Sequence, residues 1–457
     1  MKRREFLAGM TGIVAGATLA GANDANASTG NTQIAGLRGS IEGADLGLRP
    51  SADDDQSRVL QRAIDDATKR GKPLFLTAGT YQVSNLKLPD GARLVGVPGR
   101  TRLVYRGEGH LFFAENVAHI GLEGLMLDGA NQPLGDYTPG LLHFNEVADF
   151  TITDCIVSGS SKSGLAIDRS SGHITRNDIS GASDAGIRSI EARGLTIRDN
   201  QVRDCGNGGI LIHRWAAGED GTIVSGNRVK NIFSLAGGTG QNGNGINVFR
   251  AHNVVITDNH VSDCAFSAIR SNAGSNVQIS NNTCLRSGEV GIYSEFGFEG
   301  AVVTGNLVDG AAAGISIANF NEGGRLAICA NNIVRNITTK GPYINDVASF
   351  GYGIWAEAET NVIGNVIENA PWVGIGLGWG PYLRNVLVSN NIIRQSGTGV
   401  IVTVVEGAGP ALITGNMLQE LSKEGIVGYR WNDKATRDLV AGNRGWHHLT
   451  INGNQVS

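Results

Sequence analysis

A short phrase, aliphatic-x-aliphatic-x-x-Asn-x-aliphatic, returns along most of this chain and constrains its fold more than any other feature. It ends on Asn177, Asn200, Asn227, Asn259, Asn282, Asn306, Asn331, Asn365, Asn391, Asn416 and Asn454. Successive asparagines lie 23 to 38 residues apart, with most intervals near 24. A fixed period of that length marks a repeat architecture. A second phrase, Gly followed by alternating aliphatics, falls between the asparagines: GLAI from Gly164, GIRS from Gly186, GILI from Gly209, GINV from Gly245, GIYS from Gly291, GIWA from Gly353 and GIGL from Gly374. Each unit therefore supplies at least two short strands. Such a unit cannot bury its apolar face alone, so consecutive units must stack in parallel.

The expected fold is all-β: a parallel β-helix of about a dozen coils, with the asparagine amides bonded coil to coil and tolerant of a left-handed turn. A leucine-rich-repeat horseshoe has a similar period and also carries Asn. It requires L-x-x-L-x-L with a helical segment per unit, whereas the segments here are β-branched and glycine-rich. Sixty-six glycines against ten prolines suit many tight corners around a narrow Val/Ile/Leu core. A formal charge of −4, dispersed along the chain, gives no footprint for nucleic acid.

Four segments are expected: 1–27 as an export signal, 28–52 as a linker, 53–71 as an N-terminal capping helix and 72–457 as the β-helix. Lys2-Arg3-Arg4-Glu5-Phe6-Leu7, a weakly apolar Gly/Ala-rich stretch and Ala25-Asn26-Ala27 resemble a twin-arginine signal, with Arg3 and Arg4 as its recognition pair. An ordinary secretory signal or a membrane anchor is the alternative. The translocase would be a partner during export, to the periplasm or beyond, and no stable membrane span is expected. Asp53-Asp54-Asp55, then Val59, Leu60, Ala63, Ile64 and Ala67, then Gly71, describe one amphipathic helix that would cover the first open strand edge. At the other end the edge must be covered by residues from Trp431 to Trp446 folding back, or by a second subunit in a homo-oligomer. Cys155 takes an asparagine position, and Cys284 and Cys329 replace core aliphatics. Cys205 and Cys264 lie two coils apart, roughly 9 to 10 Å, beyond the ~7 Å reach of a disulfide. All five read as buried packing residues. No His/Cys clustering suggests a metal, and no cofactor is implied.

DDDQSRVLQRAIDDA, PLFLTAGTY, LPDGARLVG and GLEGLMLDGAN, in that order, are similar to the opening of right-handed parallel β-helix proteins of the pectate-lyase-like superfamily. With RREFL and the repeated asparagine phrases, the chain resembles the bacterial twin-arginine-translocated repeat proteins, a family without an assigned activity. The resemblance implies a right-handed coil and, frequently, a polysaccharide ligand. The NTD, GHG and RIK signatures of polygalacturonase-like enzymes are missing. Tyr352-Gly353-Ile354-Trp355-Ala356-Glu357 keeps only the Tyr-Gly of the Tyr-Gly-x-Asp-Pro-His found in mannuronan epimerases.

Alternation along the glycine-led strand turns its second and fourth residues outward. The outward pairs form a ribbon: Arg188/Ile190, Leu211/His213, Asn247/Phe249, Arg270/Asn272, Tyr293/Glu295, Ser316/Ala318, Trp355/Glu357, Gly376/Gly378. Two extended units, about 234–244 and 338–352, precede the strands of Asn247 and Trp355 and should rise as walls four coils apart, roughly 19 Å. Between them Arg270, Asn272, Tyr293, Glu295 and Ser316 would floor a trough for an oligosaccharide, with Tyr293, Trp355 or Trp379 as aromatic faces. Glu295 and Glu357, two coils apart at about 9 to 10 Å, approach the carboxyl spacing of inverting glycoside hydrolysis. In a lyase Arg270 or Tyr293 would transfer the proton, with Asn272 and His213 holding a uronate. Catalysis is thus expected of Glu295, Glu357, Arg270 and Tyr293, and substrate binding of His213, Asn247, Asn272, Trp355 and Trp379. A glycan-binding or self-stacking envelope protein without catalysis is the other class of function.

Overall fold

The computed structural model of this chain describes residues 39–319, 323–343, 350–442 and 445–457. The twin-arginine phrase and residues 28–38 of the expected linker lie outside these residues. From Ile41 to Ser457 the chain winds as a parallel β-helix. Three short strands per coil stack on their counterparts in the coils before and after, all in parallel register. For example, Ala185–Ile190 pairs with Gly208–Glu219, Thr196–Arg198 with Ile223–Ser225, and Gln201–Cys205 with Arg228–Ile232. Inward positions are Val, Ile, Leu and Ala: Ile187, Ile197 and Val202 in one coil, Ile210, Val224 and Val229 in the next, all fully buried. Alternation about the pleat produces this, since every second side chain must enter the lumen. Among the described residues no helix is long and apolar enough to cross a membrane.

A column of asparagine amides fixes the coil register. Asn177 Nδ2 donates to Oδ1 of Asn200 at 2.9 Å and to the Ile152 carbonyl at 2.9 Å, while its backbone N–H shares the same Asn200 oxygen. The pattern repeats to Asn454. One position differs from expectation: Asn332, not Asn331, joins the column between Asn306 and Asn365. Asn331 has φ +56° and supplies the left-handed bend, as Arg176, Asp199 and Asp258 do in other coils. The bend and the amide bond therefore belong to neighbouring residues, and where two asparagines adjoin, the second makes the bond. In the earliest such coil Cys155 stands at the position, and its N–H donates to Asn177 Oδ1 at 2.9 Å. All five cysteines are buried and unpaired.

Both ends of the ribbon are covered from within the chain. The expected helix spans Ser57–Lys69, shorter than 53–71, because Asp55 accepts from the Ser57 N–H and ends the extended approach. Leu60, Ala63, Ile64 and Ala67 are buried. Its polar residues satisfy the first open edge: Gln61 exchanges hydrogen bonds with the backbone of Lys87 at 2.8 and 2.9 Å, and Ser57 Oγ accepts from the Ser84 N–H. Part of the expected linker belongs to the helix body, since Ile41–Glu42 pairs with Leu74–Phe75. At the C-terminal end the chain folds back after Arg430. Asp433–Lys434 runs antiparallel to Ile426–Arg430, Asp438 accepts from the N–H groups of Gly425 and Ile426 at 2.8 and 3.2 Å, and Thr436 Oγ1 accepts from Gly428. Side-chain oxygens thus stand in for the coil that would come next.

Candidate functional site

The ribbon of outward side chains forms in the expected register. Arg188, Leu211, Asn247, Arg270, Tyr293, Ser316, Trp355 and Gly376 stand opposite one another coil by coil, and Ile190, His213, Phe249, Asn272, Glu295 and Ala318 form the second column. What covers the ribbon divides it into two regions.

Over its centre the two walls meet, so the expected open trough is a closed chamber. Tyr343 reaches from the second wall until its hydroxyl stands 3.5 Å from the Thr239 carbonyl of the first, and its ring packs edge-on to Phe266 at 5.8 Å. The floor is largely covered: Glu295 is 2% exposed, Ser316 4% and Asn247 6%, while Arg270, Asn272 and Tyr293 are half-buried. Glu295 Oε1 accepts from Arg270 Nε at 2.6 Å and from Asn272 Nδ2 at 2.7 Å. The guanidinium also donates to the Gly240 carbonyl of the first wall and lies over the Tyr293 ring at 5.2 Å. Burial holds the Tyr293 phenol well above its ordinary range. Arg270, Asn272, Tyr293 and Glu295 are thus engaged with one another and, through Arg270 and Gly240, with the first wall.

A carboxylate that the sequence reading passed over completes the chamber. Glu289 is 6% exposed; Tyr343 donates to its Oε1 at 2.6 Å and Ser267 to its Oε2 at 3.2 Å. Burial raises its pKa, against the opposing pull of those hydroxyls and of Arg270. Glu289 shares the parity of Tyr293 and Glu295 but lies ahead of Gly291, from which the outward pairs are counted, beside a register shift between Ser287 and Val290.

His213 lies on the N-terminal side of the chamber, edge-on to Phe249 at 5.9 Å. Burial, aided by nearby Arg188, lowers its pKa to about 4, so it is neutral at pH 7. Still nearer the N-terminus, the same columns carry His143 and Asp168, 3.1 Å apart, with Arg188 3.2 Å from the same carboxylate. The sequence reading started its ribbon at Arg188 and missed both.

Beyond the second wall the ribbon opens into a cleft of about 1010 Å³. At one end of its floor Gly376, in the strand Val373–Leu377, and Gly378, just past it, leave the outward positions bare, and Ile401 and Thr403 follow in the next coil. This gap allows indole rings to lie against the backbone: a Cβ at Gly376 would stand 2.0 Å from the Trp355 ring, and one at Gly380 2.5 Å from that of Trp431. Trp355 and Trp372 are stacked at 5.4 Å, and Trp379 meets Trp431 edge-on at 5.6 Å. Thr403, Asn432 and Tyr429 add polar groups, and Lys340 and Lys423 stand at the rim. Trp355 and Trp379, both expected to bind substrate, share this cleft. Trp372 and Trp431, not singled out for binding from the sequence, come from loops beside the strands. Glu357 follows Ala356, whose neighbour in the next coil is Leu377; it is 8% exposed and does not line the cleft.

A family model described as the right handed beta helix region matches residues 139–323. No curated protein matches the sequence. Among solved structures, the pre-mature gene product 12 of bacteriophage phi29 is similar at 16% identity and TM-score 0.56, over 88% of this chain and 57% of that one. An N-terminal fragment of the same phage protein matches at 16% identity and TM-score 0.56, over 90% and 75%. The enzymatically active domain of bacteriophage CBA120 tailspike protein 2 matches at 16% identity and TM-score 0.50, over 64% and 47%. The chain therefore spans little more than half of the first of these and less than half of the last. At such identities the shared property is the fold. The protein therefore has the right-handed parallel β-helix fold.

Proposed function

We propose that this protein is exported and binds an extended polysaccharide in the tryptophan cleft. The observation that carries the reading is the convergence of Trp355, Trp372, Trp379 and Trp431 on one open cleft. Sugar rings present apolar faces that stack on aromatic side chains while their hydroxyls seek polar groups at the edges. Thr403, Asn432 and Tyr429 are placed for that second task. The coil spacing of ~4.8 Å sets the cleft along the helix axis, so an extended chain meets successive coils. The opening Lys2-Arg3-Arg4-Glu5-Phe6-Leu7 supports export by the twin-arginine route, and replacing Arg3 and Arg4 with lysine should retain the protein in the cytoplasm. Titrating the mature protein with an oligosaccharide panel while following tryptophan fluorescence tests the binding reading. A saturable change with at least one glycan is expected, and silence across the panel overturns it.

Glu357 favours a second reading, cleavage of the bound chain, because it lies two residues after Trp355, which lines the cleft. In that case Glu357→Gln should abolish the release of new reducing ends or unsaturated uronates while leaving the fluorescence titration intact. Wild-type protein that binds without releasing either product would leave binding as the whole activity.

A further inference from the structure

The strands that follow the column asparagines carry two columns of outward side chains, and the first of these changes character along the stack. From Gln201 to Thr283 it is polar. From Leu307 through Ile333, Val366 and Ile392 to Met417 it is aliphatic in five successive coils, paired in register. Ile333 is 47% exposed, Met417 40% and Val366 36%, and Leu307 and Ile392 are half-buried. Across the asparagine corner the same stretch presents Val302, Ile328, Leu387 and Leu412. The aliphatic face covers four coil intervals, roughly 19 Å. Contiguous exposed aliphatics of this kind mark a contact surface, whereas single ones need no explanation.

The second column says what the contact is made with. In successive coils it carries Asp309, Arg335, Glu368 and Arg394, alternating in sign, and it is bounded by the uncharged Leu285 and Gln419. Within the chain Arg335 pairs with Asp309 at 2.8 Å and Arg394 with Glu368 at 3.1 Å, and all four side chains remain partly exposed. These are two ion pairs pointing the same way along the axis. A copy of the face turned about a two-fold axis along the strands reverses their order. Asp309 then meets Arg394 of the second copy, Arg335 meets Glu368, and the aliphatic column sets Leu307 against Ile392 and Ile333 against Val366. A second copy laid in the same direction would bring like charges together, and so would a slip of one coil. The pattern therefore admits one direction and one full register.

We propose that this face binds a second copy of the chain, antiparallel, in a two-fold dimer. The contact is self-complementary, as a two-fold interface requires. Its aliphatic column supplies the attraction, and the alternating charges select direction and register by penalising the alternatives. A face of only five coils buries less than the ~800 Å² per partner of a standard interface, so the dimer exchanges with monomer. The ribbon strands take no part in it.

Sedimentation velocity of the mature protein across micromolar concentrations should show a monomer–dimer equilibrium. Arg394→Glu brings like charges to Asp309 of the second copy, and Asp309→Arg does the same at Arg394. Each variant alone then holds two repulsive contacts in its dimer, and the dissociation constant should rise by roughly a hundredfold. Mixing the two variants should restore a heterodimer, since one contact keeps its original charges and the other has both reversed. A purely local disturbance of either chain would not be repaired by mixing. Ile333→Lys should leave monomer alone and in every mixture, and its thermal melt, like those of the charge variants, should match that of the wild type. A wild type that stays monomeric at the highest concentration overturns the proposal. So does a dimer that survives both reversals, or a mixture of the two charge variants that remains monomeric.

Discussion

The closed chamber and the open cleft lie on one ribbon, built from the same strands in the same register, yet they differ in what fills the outward positions. In the chamber those positions hold long, hydrogen-bonding side chains, Arg270, Asn272, Tyr293 and Glu295, and both walls lean in to complete them. In the cleft they hold Gly376 and Gly378, and the neighbouring indoles occupy the space without filling it. A β-helix supplies identical backbone to every coil, so exposure is decided by side chains and by the loops that enter between them. Charged residues on such a face do not by themselves mark a binding site, because they can equally serve to pin a loop.

The largest expected effect separates the two regions by stability. Glu295→Ala leaves Arg270 buried without its carboxylate, a loss of the size that breaking a buried pair produces, about 3 to 5 kcal/mol. Urea unfolding should show that loss, while the variant, once folded, binds glycan like the wild type. A large drop in affinity with unchanged stability would place the ligand in the chamber.

Next comes acid. Burial lowers the pKa of His110, which is 5% exposed, to about 4. Its contribution to stability is complete above the unfolded value of ~6.5 and is lost as the pH falls through 4, because the unfolded chain takes up the proton first. At pH 4 the loss from this group approaches about 3 kcal/mol at most, and His213 works in the same direction. Thermal melts between pH 7 and pH 4 should shift downward, and His110→Gln should flatten part of that slope. Among the described residues the lining of the cleft contains no histidine, so affinity should change less than stability over this range.

Smaller again is the loss of one amide from the asparagine column. Asn282→Ala leaves buried donors and acceptors of its neighbours unsatisfied and should cost about 1 to 3 kcal/mol, read from the urea midpoint. The smallest effect is confined to the cleft. Trp379→Ala should weaken glycan binding by about tenfold, the value of one or so stacking contacts, with no comparable change in unfolding.

Much of this arrangement was legible in the residues. The recurring asparagine gave the coil, the glycine-led alternation gave the ribbon and its columns, and the two long units located both walls. The rest depended on information that spacing does not contain. That Tyr343 would bridge the walls is a matter of side-chain reach. Glu289 precedes the glycine from which the outward pairs are counted, and Asn331 and Asn332 adjoin at a corner that needs both a bend and an amide, so the phrase alone does not say which of them makes the bond. Trp372 and Trp431 sit in loops, outside any period, so only the folded chain brings them beside Trp355 and Trp379.

Hydrogen–deuterium exchange of the mature protein, with and without a glycan found to bind, tests the central claim most directly. Protection confined to segments around 371–380 and 426–432, with 267–295 unchanged, is the predicted result. Protection appearing at 267–295 while the tryptophan segments exchange as before would show that the chamber opens to take the ligand, and would contradict the account.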